Sequence, residues 1–154
     1  MGLVEDVGTG PVGLDTAPFI YLIEEHPRYL PIVRPVFAAI AAGRLSAVTS
    51  GLTLLETLGQ PYRSGNAPLA ERYEAVLTRS RGLRLEEITR PVCRAAAQLR
   101  AAHNIKTPDA LQLATALLGQ CAVFLTNDND LPPIPGIRIL YVSSYLPSPP
   151  PGPR

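Results

Sequence analysis

The prediction of the fold starts from residues 11–23, PVGLDTAPFIYLI. The run 11–14 is apolar and short enough for a buried strand, and the acid Asp15 follows it. Apolar residues at helical spacing come next, and His26-Pro27 is expected to end that helix. The ordered part of the chain therefore begins with a strand followed directly by a helix.

The same alternation continues to residue 142. Further strands are predicted at 45–49, 83–88, 121–126 and 137–142, and helices at 36–42, 50–58, 66–80, from 89 onward and at 107–118. Gly43 and the triplet Gly59-Gln60-Pro61 are expected to end the helices before them. This order of elements predicts an α/β fold with a central, mainly parallel sheet that helices cover on both faces.

The length of 154 residues suits one compact domain. Residues 1–10 contain three glycines and no periodicity, so we expect a flexible lead there. The domain itself is predicted at 11–146, and the Pro-rich tail 147–154 is expected to be disordered.

Composition excludes several classes of protein. No run approaches the ~20 apolar residues that span a bilayer. The N-terminus is acidic where a signal peptide would be basic. We therefore expect a cytoplasmic protein that is not inserted in a membrane. The net charge of +1 provides no global attraction for nucleic acid, so any RNA contact must be local. The two cysteines and two histidines lack the spacing of a zinc site.

Four acids are expected to meet at one edge of the sheet. Asp15 and Asp128 each follow a predicted strand, and ligands of open α/β sheets bind where parallel strands end. Glu56 lies one to two turns into the helix after the second strand, and Asp109 lies in the first turn of the helix that starts at Thr107-Pro108. If those helices start at the same edge, all four carboxylates converge.

Such a cluster indicates metal chemistry. Carboxylate oxygens are the ligands that Mg²⁺ and Mn²⁺ prefer, and a bound ion can activate water for attack on a phosphodiester. Two unit charges ~4 Å apart repel by roughly 4 kcal/mol at an effective dielectric of 20, so the cluster needs a cation or a basic neighbour. Lys106 is the closest in sequence. The hypothesis is phosphodiester hydrolysis.

Each acid alone also fits a structural role. Asp15 can cap its helix, Asp109 can complement a helix dipole, and Glu56 can close a capping box. Asp128 and Asp130 are ordinary turn residues by composition. However, Asp109 and Glu56 border apolar stripes, and acids at the rim of a core are seldom left unpaired. This placement favours a shared site.

Four short motifs carry a family resemblance. They are Gly13-Leu14-Asp15-Thr16 with Ile20-Tyr21, Leu54-Leu55-Glu56, Thr107-Pro108-Asp109-Ala110 with Ala114-Thr115-Ala116, and Leu125-Thr126-Asn127-Asp128. In this order and context they resemble the PIN domains, particularly the VapC-like toxins of bacterial toxin–antitoxin pairs. The motifs span nearly the whole chain, although the lead before Asp15 is longer than is common in these toxins.

The resemblance implies a three-layer α/β/α sandwich with Mg²⁺- or Mn²⁺-dependent endoribonuclease activity. It also implies a homodimer and inhibition by a cognate antitoxin whose tail enters the acidic groove. By the same analogy, the metal ligands that position the attacking water are Asp15, Glu56, Asp109 and Asp128. The resemblance further implies supporting hydroxyls on Thr16 and Thr126 and a supporting amide on Asn127.

Two alternatives stay open. The fourth acid is either Asp128 or Asp130, and the alignment of the motif favours Asp128. The chain could instead be a catalytically inactive PIN-like module that binds a partner, although intact acids at all four positions argue against it. A phosphatase that uses Asp15 as nucleophile would need a second acid two residues on, where Ala17 stands.

Overall fold

The computed structural model describes residues 2–148 and 152–153. In chain order the elements are α1 (Leu3–Val7), β1 (Val12–Leu14), α2 (Thr16–Ile23), α3 (Leu30–Ala41), β2 (Ala47–Ser50), α4 (Gly51–Ser64), α5 (Ala67–Arg79), β3 (Leu83–Glu86), α6 (Arg90–Ala102), α7 (Thr107–Leu118), β4 (Val123–Thr126) and β5 (Arg138–Tyr141), followed by a 3-10 turn (Val142–Tyr145). Among these helices, none has the length and apolar character to span a bilayer. Half of the Pro-rich tail predicted at 147–154, namely residues 149–151 and 154, lies outside the described residues.

The five strands form one parallel sheet in the order β3-β2-β1-β4-β5. Val12 of β1 lies opposite Ala47 on one side and Val123 on the other. The chain moves outward from β1 through β2 to β3, and then crosses back to place β4 against the free side of β1. A change of direction of this kind opens a crevice at the carboxyl ends of the two central strands.

Helices cover both faces of the sheet. Because alternate residues of a strand point to opposite faces, Val12 and Leu14 pack on one side and Phe124 packs on the other. The first core also takes buried side chains from α1, α2, α3 and α5, and the second takes them from α6 and α7. The predicted three-layer α/β/α sandwich with a parallel sheet is therefore confirmed.

Gly13 sets how closely α7 approaches the central strand. A Cβ atom at this position would lie 2.6 Å from the Cβ atom of Ala116 and 3.2 Å from Cδ1 of Phe124. Only a residue without a side chain leaves room for α7 directly on β1. This contact brings the first turn of α7 to the carboxyl end of β1.

The structure differs from the expected flexible lead at residues 1–10. Residues Leu3–Val7 form the helix α1, and the side chains of Leu3 and Val7 are each 4% exposed within the first core. These two residues are one helical turn apart and so present one apolar face to α3. The hydroxyl of Tyr145 donates a hydrogen bond to Asp6 and fastens the helix to the end of the domain.

Two helices extend past the bounds predicted for them at 36–42 and 50–58. α4 passes through Gly59 and Pro61 and ends at Ser64, and α3 begins at Leu30 and contains Pro35. Pro61 is buried, and α4 packs along α5. Burial of this ring against a neighbouring helix outweighs the hydrogen bond that a proline cannot donate. Gly65, with φ of 70°, ends α4 instead.

Candidate active site

An open cavity of about 340 Å³ lies at the carboxyl edge of β1 and β4. We call it the acid cavity, and its lining residues are Asp15, Thr16, Ala17, Ile20, Tyr21, Glu56, Pro108, Asp109, Asn127 and Asp128. All four acids predicted from the sequence are among them. Asp130 is exposed outside the cavity, and its backbone N–H donates to Oδ1 of Asp128 at 3.1 Å.

Asp15 both caps a helix and lines the acid cavity, the two roles that the sequence left open for it. Its Oδ1 accepts the backbone N–H of Thr16 at 2.8 Å, which caps α2, and its Oδ2 accepts the hydroxyl of Thr126 at 2.7 Å. Burial raises the pKa of this carboxyl; the two hydrogen bonds oppose the shift, and the charge of Asp128 adds to it. Both oxygens are thus fixed at the base of the cavity.

Asp109 and Asp128 form a close acid pair. Burial, the hydrogen bond with Asp128 and the charges of Asp128 and Asp15 together raise the pKa of Asp109 to about 7, while Lys106 lowers it. Asp128 is held from the other side, because its backbone N–H donates to Oγ1 of Thr126 at 3.1 Å. The carboxyl of Asp109 therefore holds its proton more strongly than an ordinary aspartate does.

Glu56 enters the cavity from α4. Its carboxylate is exposed to solvent, and Oε1 accepts the hydroxyl of Thr16 at 2.6 Å. The capping-box interpretation of this residue is wrong, because α4 begins at Gly51 and Ser50 caps it by accepting the N–H of Leu52 at 3.1 Å. Glu56 lies more than one turn inside the helix and is directed toward the first strand–helix junction.

The three residues implied as supports take different positions. The hydroxyls of Thr16 and Thr126 contact Glu56 and Asp15 directly. Among the described residues, Asn127 forms no hydrogen bond with an acid. Its amide donates to the hydroxyl of Tyr21 at 2.9 Å, and its carbonyl oxygen accepts the backbone N–H of Ser143 at 2.9 Å. Asn127 thus holds the rim of the cavity.

Sequence reasoning missed a layer of buried polar side chains beneath the acids. Gln112, which is 2% exposed, forms hydrogen bonds to Ser50, Thr53 and Thr16. The signal was present, since a glutamine one turn after Asp109 interrupts an otherwise apolar helix face. Its partners could not be named from the sequence, because they lie 59 to 96 residues away.

The donor set of the acid cavity fits a hard divalent cation. All its charged groups are carboxylates, which supply the oxygen ligands that Mg²⁺ and Mn²⁺ take. A cation beside Asp109 would offset the negative charges of Asp128 and Asp15 that raise the pKa of its carboxyl. Within residues 2–148 and 152–153, no three His, Cys, Asp or Glu side chains are already grouped as a metal site.

The histidines and cysteines have no place in this cavity. Nδ1 of His26 accepts the backbone N–H groups of Arg28 and Tyr29 at 3.1 and 3.2 Å, so this ring orders the turn after α2. Both cysteines are free; Cys93 is exposed and Cys121 is buried, which raises the pKa of the Cys121 thiol to about 11. A buried neutral thiol behaves as a small apolar side chain.

The sequence model of the PIN domain matches residues 12–136. The chain belongs to the PIN domain family. The match begins at β1 and so leaves α1 outside it. No curated protein matches the sequence of this PIN domain.

Solved structures with the same fold include proteins of toxin–antitoxin pairs. The VapBC2 complex of Rickettsia felis, bound to a promoter DNA fragment, is similar with a TM-score of 0.66 and 17% identity over 84% of this chain and 97% of that chain. A Klebsiella pneumoniae toxin–antitoxin complex is similar with a TM-score of 0.63 and 20% identity over 85% of this chain and 96% of that chain. VapC20 of Mycobacterium tuberculosis is a toxin that cleaves the sarcin–ricin loop. It is similar with a TM-score of 0.63 and 18% identity over 77% of this chain and 91% of that chain. This PIN domain shares the fold of these proteins.

Proposed function

We propose that this PIN domain is a divalent-metal-dependent endoribonuclease and the toxin of a toxin–antitoxin pair. The observation that carries the proposal is the acid cavity, where the charge of Asp128 lies close enough to raise the pKa of both Asp15 and Asp109. The choice of RNA is supported by the similarity to a toxin that cleaves the sarcin–ricin loop.

Mg²⁺ or Mn²⁺ would be held by Asp15, Glu56, Asp109 and Asp128. The ion supplies an activated water and neutralises charge on the leaving oxygen. The chain's own hydroxyls keep the ligands in place: Thr126 holds Asp15, and Thr16 holds Glu56. Asn127 and Tyr21 form the rim past which an RNA strand reaches the acids.

We also propose three partners for this PIN domain: a cognate antitoxin, a second copy of the chain and an RNA substrate. A cognate antitoxin and a homodimer follow from the family resemblance, and similar solved structures are toxin–antitoxin complexes. A net charge of +1 leaves attraction of RNA to local groups, such as the arginines that make up most of the basic residues. An enzyme of this kind acts on cytoplasmic RNA.

The cation site is tested by thermal stability. Mn²⁺ or Mg²⁺ at 100 times the dissociation constant stabilises the folded state by about 2.7 kcal/mol, which raises Tm by several degrees. We expect this shift in the wild type and not in Asp15→Asn, because the amide keeps the cap of α2 and loses the charge. Equal shifts in both proteins would show that the ion binds elsewhere.

Cleavage of a structured RNA in Mn²⁺ tests the reaction. Asp15→Asn and Asp109→Asn are each expected to lower the rate at least about 100-fold. The control is Asp130→Asn, which changes an exposed acid outside the acid cavity and should keep the wild-type rate. Equal cleavage by all preparations would indicate a contaminating nuclease.

A second candidate function is a PIN domain that binds a partner without catalysis. It is favoured by one observation: the described acids line the cavity without forming a ready-made ion site. If this function is correct, a partner protein still binds, Mn²⁺ does not raise Tm, and RNA is not cleaved in the presence of Mn²⁺. A Tm shift that Asp15→Asn abolishes would exclude it.

A further inference from the structure

Gln112 is a buried amide that joins three elements around the acid cavity. It lies on α7, one turn after Asp109, and is 2% exposed. The hydroxyl of Ser50 donates to its Oε1 at 2.8 Å. Its Nε2 donates to Oγ1 of Thr53 at 2.8 Å and to Oγ1 of Thr16 at 3.3 Å. A buried amide with partners on both sides holds one orientation.

The orientation of this amide is set by Ser50. Oγ of Ser50 already accepts the N–H of Leu52 at 3.1 Å, and its own hydrogen is directed to Gln112. The amide oxygen therefore faces Ser50, and the two hydrogens of the NH₂ group face Thr16 and Thr53. A side chain that only accepts hydrogen bonds, or that forms none, cannot make the contacts of Gln112 with Ser50, Thr16 and Thr53.

The direction of the hydroxyl groups follows from the amide. Thr49 donates its single hydrogen to the carbonyl oxygen of Leu14 at 2.9 Å, so the hydrogen of Thr53 goes to Thr49 at 2.8 Å. The oxygen of Thr16 accepts from Gln112, which leaves its single hydrogen for Oε1 of Glu56 at 2.6 Å. The network ends on the carboxylate at the mouth of the cavity.

We propose that Gln112 is a positioning residue that aims the hydroxyl of Thr16, and through it the carboxylate of Glu56, into the acid cavity. Without the amide, Thr16 turns inward to Thr53, whose oxygen is 3.4 Å away. Glu56 is exposed and then loses the hydrogen bond that holds it. The geometric part stands on the network alone, and the effect on cation binding rests on the proposed function.

Crystal structures of two variants test the geometry. Gln112→Met keeps the length of the side chain and removes its hydrogen bonds. Its control is Thr115→Val, which changes a buried hydroxyl one turn further along α7 that contacts only the carbonyl oxygen of Leu111. We expect the contact between Thr16 and Glu56 to be lost in the first variant and kept in the second. A retained contact in Gln112→Met overturns the proposal.

Calorimetric titration with Mn²⁺ measures the consequence. Gln112→Met should weaken Mn²⁺ binding about 10-fold, the effect typical of residues that orient metal ligands. The same substitution in a Glu56→Gln background should cause no further loss, because its effect passes through Glu56. Equal loss in both backgrounds, or affinity equal to that of Thr115→Val, contradicts the proposal.

Two safeguards keep the result decisive. If Gln112→Met does not fold, Gln112→Asn takes its place, since it retains an amide but is one methylene too short to span Ser50 and Thr16. The contact of Thr16 with Glu56 is again expected to be lost, and its retention overturns the proposal. If the wild type neither binds Mn²⁺ nor cleaves RNA, the proposed function fails, while the crystal structures still decide the role of Gln112.

Discussion

At the scale of single residues, hydroxyl groups rather than basic side chains hold the acids. Thr126 donates to Asp15, and Thr16 donates to Glu56. The ion pair found within the described chain joins Arg84 and Glu86 on β3, outside the acid cavity. Neutral donors fix a carboxylate without cancelling its charge, so the cavity keeps its attraction for a cation.

The raised pKa of Asp109 predicts how stability depends on pH in a chelator. The folded carboxyl titrates at about 7 and the unfolded one at 3.8. Between these values the folded state binds the extra proton, so stability is greatest at the acid end and falls as the pH rises toward 7. Calorimetric Tm values in chelator should therefore fall from pH 5 to pH 8.

Asp109→Asn provides the control for this pH dependence. The amide cannot titrate and does not repel Asp128, so the decline of Tm over the same interval should be smaller than in the wild type. An equally steep decline in both proteins would assign the pH dependence to other groups.

At the scale of elements, helix starts that a capping side chain marks were predicted, and helix bounds next to an internal proline were not. The helices predicted at 66–80 and from 89 onward do start there: Asn66 and Thr89 cap α5 and α6, and a cap depends on residues only three positions apart. The end of α4 was predicted too early at Gly59-Gln60-Pro61. Whether a proline ends a helix depends on what packs against its ring, and α5 supplies that packing from outside the local window.

Gly13 offers a test of how α7 is seated on β1. Gly13→Ala should destabilise the domain by about 1–3 kcal/mol, since the new methyl group meets Ala116 and Phe124 and α7 must move away. The shift carries Asp109 away from Asp15, so RNA cleavage should fall as well. Urea unfolding and cleavage rates measure the two effects.

The matched control is Gly59→Ala. Gly59 is exposed within α4, and a Cβ atom there meets nothing within 4 Å. This substitution should stabilise the domain by about 1 kcal/mol, because alanine favours a helix over glycine. Destabilisation by both substitutions would show that the contact with α7 is not the cause.

At the scale of the whole molecule, the layer order was predictable and the extent of the core was not. Alternating strands and helices admit few arrangements other than a parallel sheet between two helical layers. The four acids were predicted because strand ends converge in that arrangement. The Gln112 network was not, because it depends on which side chains meet across as many as 96 residues.

The N-terminal lead tests where the folded unit begins. Leu3→Ala should cost about 2–3 kcal/mol in urea unfolding, since Leu3 is 4% exposed in the first core. Glu5→Ala, on the exposed side of the same turn, should leave stability within ~0.5 kcal/mol. No effect of Leu3→Ala would mean that residues 1–10 are a flexible lead, as the sequence alone predicts.

The pairing of β1 with β4 also governs when the acids meet as the chain is synthesised. Asp15 and the hydroxyl of Thr126 that holds it are 111 residues apart in sequence. At roughly 5–20 residues per second, a ribosome makes them on the order of 10 s apart. Throughout that interval the nascent chain carries its first acid without the partners that complete the cavity. The four carboxylates can therefore meet only after β4 has been synthesised and has paired with β1.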